Sequence, residues 1–158
     1  MRTTLKSPVE AITGSIRVLI AEDNQYVRKL IRNLLVNVGI KKIDEVVDGL
    51  AGFDAIKSLE PDIVILDWEL PLLTGAELVR IVRSPGMLTR SSLPIIMFGA
   101  AERWRIAEAK RLGVNVYLTM PISAKTLLDR IVSLLPKSRP AVAPESDRGQ
   151  DPNKLLML

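Results

Sequence analysis

The chain has 158 residues, 47% of them hydrophobic and 25% charged, with 22 basic against 18 acidic side chains for a formal charge of +4. That length holds one domain of ordinary globular composition with a sizeable core. It contains neither Cys nor His, which excludes disulfides, thiolate nucleophiles, catalytic imidazoles and Cys- or His-ligated metals.

Any chemistry therefore falls to carboxylates, hydroxyls, Lys and Arg. The positive excess is spread thinly rather than gathered in a stripe, so no nucleic-acid partner is expected. No apolar run approaches the roughly 18 residues of a membrane span, and no membrane partner is expected either. Residues 1–15 lack the apolar segment of a secretory signal, and the expected location is the cytoplasm.

Residues 1–15 read as an N-terminal extension, 16–136 as the folded domain and 137–158 as a flexible tail. The tail opens with KSRPAVAPESDRGQD, too rich in Pro, Ser and charge to bury much apolar surface. Its last residues, Leu155, Leu156, Met157 and Leu158, are apolar and are read as a frayed end or a docking segment.

Within the domain the first strand is expected at Arg17 to Ala21 (RVLIA). From Val27, the residues Leu30, Ile31, Leu34, Leu35 and Val38 recur at helical spacing, with Asn24 as cap and Gly39 at the end. A weaker strand near Ile43 to Val47 and a helix over Leu50 to Leu59 follow. Then come a strand at Ile63 to Leu66, a helix at Ala76 to Arg83, a strand at Ile95 to Phe98 and a helix at Glu102 to Leu112. A strand at Val114 to Leu118 precedes the last helix, Ser123 to Leu135, which is bounded by a Ser cap and Pro136. Five strands alternating with five helices predict an α/β fold with a doubly wound, mostly parallel sheet covered on both faces. In such sheets ligands bind beyond the carboxyl ends of the strands, so the residues just after each strand decide function.

The first strand runs into Glu22 and Asp23, the third into Asp67, the fourth into Gly99 and the fifth into Met120 before Pro121. Three carboxylates brought together repel one another unless a cation sits among them, and an all-oxygen site suits a hard ion such as Mg²⁺. The alternative for Glu22 and Asp23 is a favourable charge near the N-terminus of the following helix. Asp67 follows four apolar residues, so its carboxylate stands at the mouth of a buried strand, where its desolvation needs a use. A carboxylate beside Mg²⁺ can attack a phosphoryl group, because the metal offsets the charge that repels the nucleophile.

The runs VLIAEDN, DIVILDWELPLLTG with Pro four and Gly eight residues after Asp67, GAELVRIVR and LGVNVYLTMP together resemble the receiver domain of two-component response regulators over about Arg17 to Leu135. The resemblance implies a flavodoxin-like fold with strand order 2-1-3-4-5 and phosphoryl transfer from a sensor histidine kinase or phosphotransfer protein. It implies that Asp67 is the phosphoacceptor, that Glu22 and Asp23 hold Mg²⁺ with Asp67, and that the Glu69 backbone carbonyl completes the metal site. Two positions depart from the family. Gly99 stands where a Ser or Thr normally binds the phosphoryl oxygen, and Met120 stands where a Lys normally pairs with it. Tyr117 matches the aromatic that follows the Ser or Thr inward when the family switches. Its alternative is a residue packed at the rim of the sheet.

On the first helix Arg28, Lys29, Arg32 and Asn33 match the family's kinase-docking face or form an ordinary solvated face. On the last helix one apolar stripe holds Leu127, Ile131 and Leu134 and an adjoining one Leu128, Val132 and Leu135. With Arg103 and Trp104 on the fourth helix, the surface made by the fourth helix, fifth strand and fifth helix is a candidate homodimer face, core burial of both stripes being the alternative. The leading reading is a single-domain response regulator, a phosphoacceptor signalling protein rather than an enzyme, because no output domain fits after Leu135. Its rival is a phosphorylation-independent pseudo-receiver acting as a dimer or interaction scaffold, and a distant third is an aspartate-nucleophile phosphatase.

Overall fold

The structure is a computed structural model, and it describes residues 7–88 and 90–135. The expected flexible tail and its apolar end lie outside the described residues.

The elements run α1 (Pro8–Ser15), β1 (Arg17–Ala21), α2 (Gln25–Asn37), β2 (Lys42–Val46), α3 (Gly49–Leu59), β3 (Ile63–Asp67), α4 (Gly75–Arg83), β4 (Ile95–Phe98), α5 (Arg103–Leu112), β5 (Val116–Leu118) and α6 (Ala124–Leu134). All four strand pairings are parallel, in the order β2-β1-β3-β4-β5. The doubly wound fold is therefore as expected.

Alternate residues of each strand feed two cores. Leu19, Val64, Leu66, Ile95 and Met97 face α3, α4 and α5, with Ile56, Leu78, Val82 and Ala109 packed on them. Val18, Ile20, Ile63, Ile65 and Ile96 face α2 and α6, with Ile31, Leu35, Leu127 and Ile131 on that side. Burial on both faces explains why these strands read as unbroken apolar runs. The helices begin where short polar side chains accept from their first turns: Asn24, Asp48, Thr74 and Ser123, each satisfying backbone donors the helix leaves open.

Two details differ from the sequence reading. There are six helices rather than five, because PVEAITGS forms α1. Ser7 and Glu10 cap it reciprocally, a device that holds together a helix too short to show periodicity. Thr13 of α1 is buried against the left-handed Gly39 that ends α2, and Ile12 packs on the α2–α6 core. The last strand is also shorter, Val116–Leu118 rather than 114–118. The Val114 amide donates to the Ala109 carbonyl at the end of α5, and the Asn115 side chain accepts from the Ile95 amide at 2.8 Å. Val114 thus closes the turn, while Asn115 meets Ile95 of β4 through both its side chain and its amide, which donates to the Ile95 carbonyl at 3.1 Å, just ahead of the paired register. Among the described residues no helix is long and apolar enough to cross a membrane.

Candidate functional site

Strand register places the acidic residues side by side. Ala21 pairs with Leu66, so the residues that follow them, Glu22 and Asp67, emerge together where the strand order reverses. Carboxylate oxygens of Glu22, Asp23 and Asp67 all lie within 4.8 Å of one another.

Glu22 is buried at 2% exposure. Its Oε1 accepts from the Asn24 amide at 2.9 Å, while Oε2 is buried with no hydrogen-bond partner. Burial first, and the neighbouring Asp67 second, push its carboxyl up to about 8. A buried oxygen without a donor, facing two further carboxylates, fits a hard cation: the ion would displace the proton and satisfy the orphaned atom.

The loop after β3 explains the motif around Asp67. Asp67 Oδ1 accepts from the Glu69 amide at 3.1 Å. Leu72 has φ 69°, and the Leu73 amide donates to the Pro71 carbonyl across it at 2.8 Å, a three-residue turn that follows Pro71. The chain then doubles back until the Gly75 amide meets the Trp68 carbonyl at 2.9 Å. A Cβ at Gly75 would overlap the Asp67 carbonyl oxygen, so this position needs glycine for close approach. The Pro and Gly at four and eight residues after Asp67 therefore fix the backbone on which its carboxylate stands.

The other half of the site is built differently. β3 and β4 pair Asp67 with Phe98, which sets Gly99 beside Trp68. A Cβ at Gly99 would stand 2.5 Å from the Tyr117 hydroxyl and 3.2 Å from the Trp68 Cβ. The Tyr117 hydroxyl thus occupies the space a larger side chain at 99 would claim, and it donates to the Ala100 carbonyl at 2.8 Å. Tyr117 is 6% exposed, and burial raises its pKa above the ordinary value of 10. Met120 is exposed beyond β5, and the Met120–Pro121 peptide is cis. Lys125 is exposed on α6.

Sequence reading passed over Arg105. From the first turn of α5 its Nη2 donates to Glu69 Oε1 at 2.9 Å, and its guanidinium carbon lies 5.5 Å and 5.4 Å from the ring centroids of Trp68 and Trp104. It lines one cavity of about 220 Å³ with Glu22, Asp67, Glu69, Gly99, Ala100 and Met120. A larger cavity of about 650 Å³ opens at the opposite end of the sheet, between Ile56, Pro61, Met87 and Leu93, far from the carboxylates.

The surface residues divide as well. Arg28 lies 3.7 Å and Arg32 3.3 Å from Glu45 of β2, and Arg28 Nη1 also donates to the Glu22 carbonyl at 2.9 Å. These two are tied into the fold, whereas Lys29, Asn33 and Tyr26 are exposed on α2. Leu127 and Ile131 of α6 and Leu135 at its C-cap are buried, while Leu128, Val132 and Leu134 are half-buried. The two expected stripes thus merge into one core face with an apolar margin. Arg103 and Trp104 are exposed.

Comparison with known proteins agrees with this architecture. The sequence model of the response regulator receiver domain matches residues 18–132. The chain is 34% identical over 125 residues to chemotaxis protein CheY-3 of Vibrio cholerae, covering 78% of this chain and 95% of that protein. It is 35% identical over 117 residues to chemotaxis protein CheY of Pseudomonas aeruginosa, covering 73% and 93%. Among solved structures, the Francisella response regulator 1452 receiver domain aligns with TM-score 0.68 and 26% identity over 76% of this chain and 96% of that one.

Proposed function

The chain belongs to the response regulator receiver domain family of two-component signalling, and from that premise we propose that it accepts a phosphoryl group on Asp67 from a sensor histidine kinase or phosphotransfer protein and signals through protein contacts. The observation that carries this reading is the carboxylate cluster: Glu22, Asp23 and Asp67 within 4.8 Å, with a buried Glu22 oxygen left without a partner. Such a cluster is costly unless a proton or a cation offsets its charge, and a cation held there prepares Asp67 to meet an anionic phosphodonor.

In this reading Glu22, Asp23 and Asp67, with the Glu69 backbone carbonyl, hold Mg²⁺. When bound, the ion supplies charge that lowers the repulsion between an anionic acceptor and an anionic donor. The Asp67 oxygen that does not accept from the Glu69 amide attacks phosphorus. The bond to the donor nitrogen breaks with its electron pair leaving on that nitrogen, and Asp67 becomes an acyl phosphate. The Glu69 amide fixes the carboxylate plane, so the attacking oxygen faces the cavity rather than rotating.

The rival pseudo-receiver reading draws on Tyr117, already seated over Gly99. Intact mass after incubation with Mg²⁺ and phosphoramidate separates the two. One phosphoryl adduct, absent from an Asp67→Asn variant, is the result expected. No adduct, with the same donor active on another receiver, would replace the proposal with the phosphate-independent scaffold.

A further inference from the structure

We propose that Arg105 is the phosphoryl-binding cation of this site, reaching in from α5 to take the role left open at Met120. The inference rests on the reading of Asp67 as phosphoacceptor and adds a residue that the family pattern does not assign. A phosphoryl group on Asp67 brings nearly two negative charges into a cavity already lined by Glu22, Asp67 and Glu69, and it requires a cation from the protein besides any metal. The thioether of Met120 offers no donor.

Among the cavity's lining residues Arg105 alone is cationic. Its side chain is 14% exposed, and its guanidinium lies near the rings of Trp68 and Trp104, so the arm is held at the mouth of the cavity rather than spread into solvent. Only one side of the fork is engaged. Nη2 meets Glu69 Oε1 at 2.9 Å, whereas Nε is buried with no hydrogen-bond partner, its nearest carboxylate, Glu102 Oε1, lying 3.9 Å away. An arginine fork with an unused buried donor, lining the same cavity as the Asp67 carboxylate expected to gain phosphoryl oxygens, can turn to bidentate anion binding. Glu69, 70% exposed in its side chain, holds the arm in the resting protein and is the group the phosphoryl oxygens displace. Loss of that pair would free Glu69 and alter the surface formed by the loop after β3 and α5, which gives phosphorylation a readout that needs no hydroxyl at position 99.

The test compares adduct formation rate and lifetime with phosphoramidate and Mg²⁺, by intact mass, in the wild-type chain and four variants. Arg105→Gln is expected to slow formation roughly 10- to 100-fold, the worth of a charge-assisted hydrogen bond, and Arg105→Lys to retain part of the rate. Adding Met120→Lys to Arg105→Gln is expected to restore most of the loss. Glu69→Gln, which frees the arm, is expected to raise the rate about two- to fivefold, as removal of a competing exposed ion pair should. A purely structural Arg105–Glu69 pair would make Arg105→Gln and Glu69→Gln both slower and leave the added Met120→Lys without effect, and that pattern overturns the proposal, as does an Arg105→Gln rate equal to wild type. A wild-type chain that takes no phosphoryl group removes the reading of Asp67, and this inference falls with it.

Discussion

The two halves of the site follow different rules. At the ends of β1 and β3 the expected residues stand at the expected places, because Glu22, Asp23 and Asp67 are set by strand register and by a loop whose Pro71 and Gly75 leave the backbone little freedom. At the ends of β4 and β5 both expected residues are missing, yet the space and the charge are supplied from elsewhere, by Tyr117 over Gly99 and by Arg105 from α5. A nucleophile and its metal ligands must sit at fixed backbone positions, since tenths of an ångström decide in-line attack. A cation has looser requirements, because a long side chain reaches one point in space from several places in the chain.

The largest expected effects fall on the acidic half. Asp23→Ala should lower Mg²⁺ affinity and adduct formation by at least about 10- to 100-fold, the loss seen even for residues that merely support a metal ligand; titration of Mg²⁺ against intrinsic Trp fluorescence, with Trp68 beside Asp67, measures it. If the variant kept wild-type affinity, the acidic half would be no more constrained than the other.

Next comes pH. Glu22 titrates near 8 in the folded protein against an ordinary value of 4.5, so between those values the native state holds more protons than the unfolded chain. Without divalent cations, stability should therefore be fullest below about pH 4.5 as far as this group is concerned, and fall as pH rises towards 8. Mg²⁺, competing with that proton, should bind more tightly and stabilise more as pH rises. Thermal unfolding in a chelator from pH 5 to 8 should show the decline, and Glu22→Gln should flatten it.

On the rebuilt half, Gly99→Thr should drive the Tyr117 ring out of its seat and cost about 1–3 kcal/mol, the usual penalty of overpacking, visible as a shift of the Tyr117 ring resonances. Tyr117→Phe should cost less, about 0.5–1.5 kcal/mol, because it removes one hydrogen bond. The smallest effect is at the rim of α2. Glu45→Ala breaks contacts with Arg28 and Arg32 that are partly exposed, and should cost about 0.2–1 kcal/mol in chemical denaturation, fading in high salt.

This division also explains what sequence could reveal. Buried strands announce themselves as apolar runs, and the carboxylates that follow them stand out because polarity changes abruptly at Glu22 and Asp67. Helix α1 stayed hidden because eight residues with Gly14 and Thr13 carry too little periodicity, its stability coming instead from the Ser7–Glu10 cap and from Thr13 packed on Gly39. Arg105 stayed hidden for another reason. Trp104 and Arg103 drew notice as surface anchors, yet α5 turns its next residue over the strand ends, and only the direction of its first turn separates the cavity residue from its exposed neighbours. Arg28 and Arg32, read as a docking face or a solvated one, are half-buried and paired with Glu45, a cross-element contact that spacing along one helix does not reveal.

In the proposed mechanism the acidic half keeps the family's chemistry while the opposite half binds the phosphoryl group by new means. A crystal structure of the chain with Mg²⁺ and beryllium fluoride, which mimics a phosphoryl group on a carboxylate, tests it most directly. The expected structure has the mimic on Asp67, the cation among Glu22, Asp23 and Asp67, Arg105 moved from Glu69 onto a fluoride, and Tyr117 still seated over Gly99. A mimic bound at Asp67 with Arg105 still on Glu69 and no protein cation on its fluorides would contradict it.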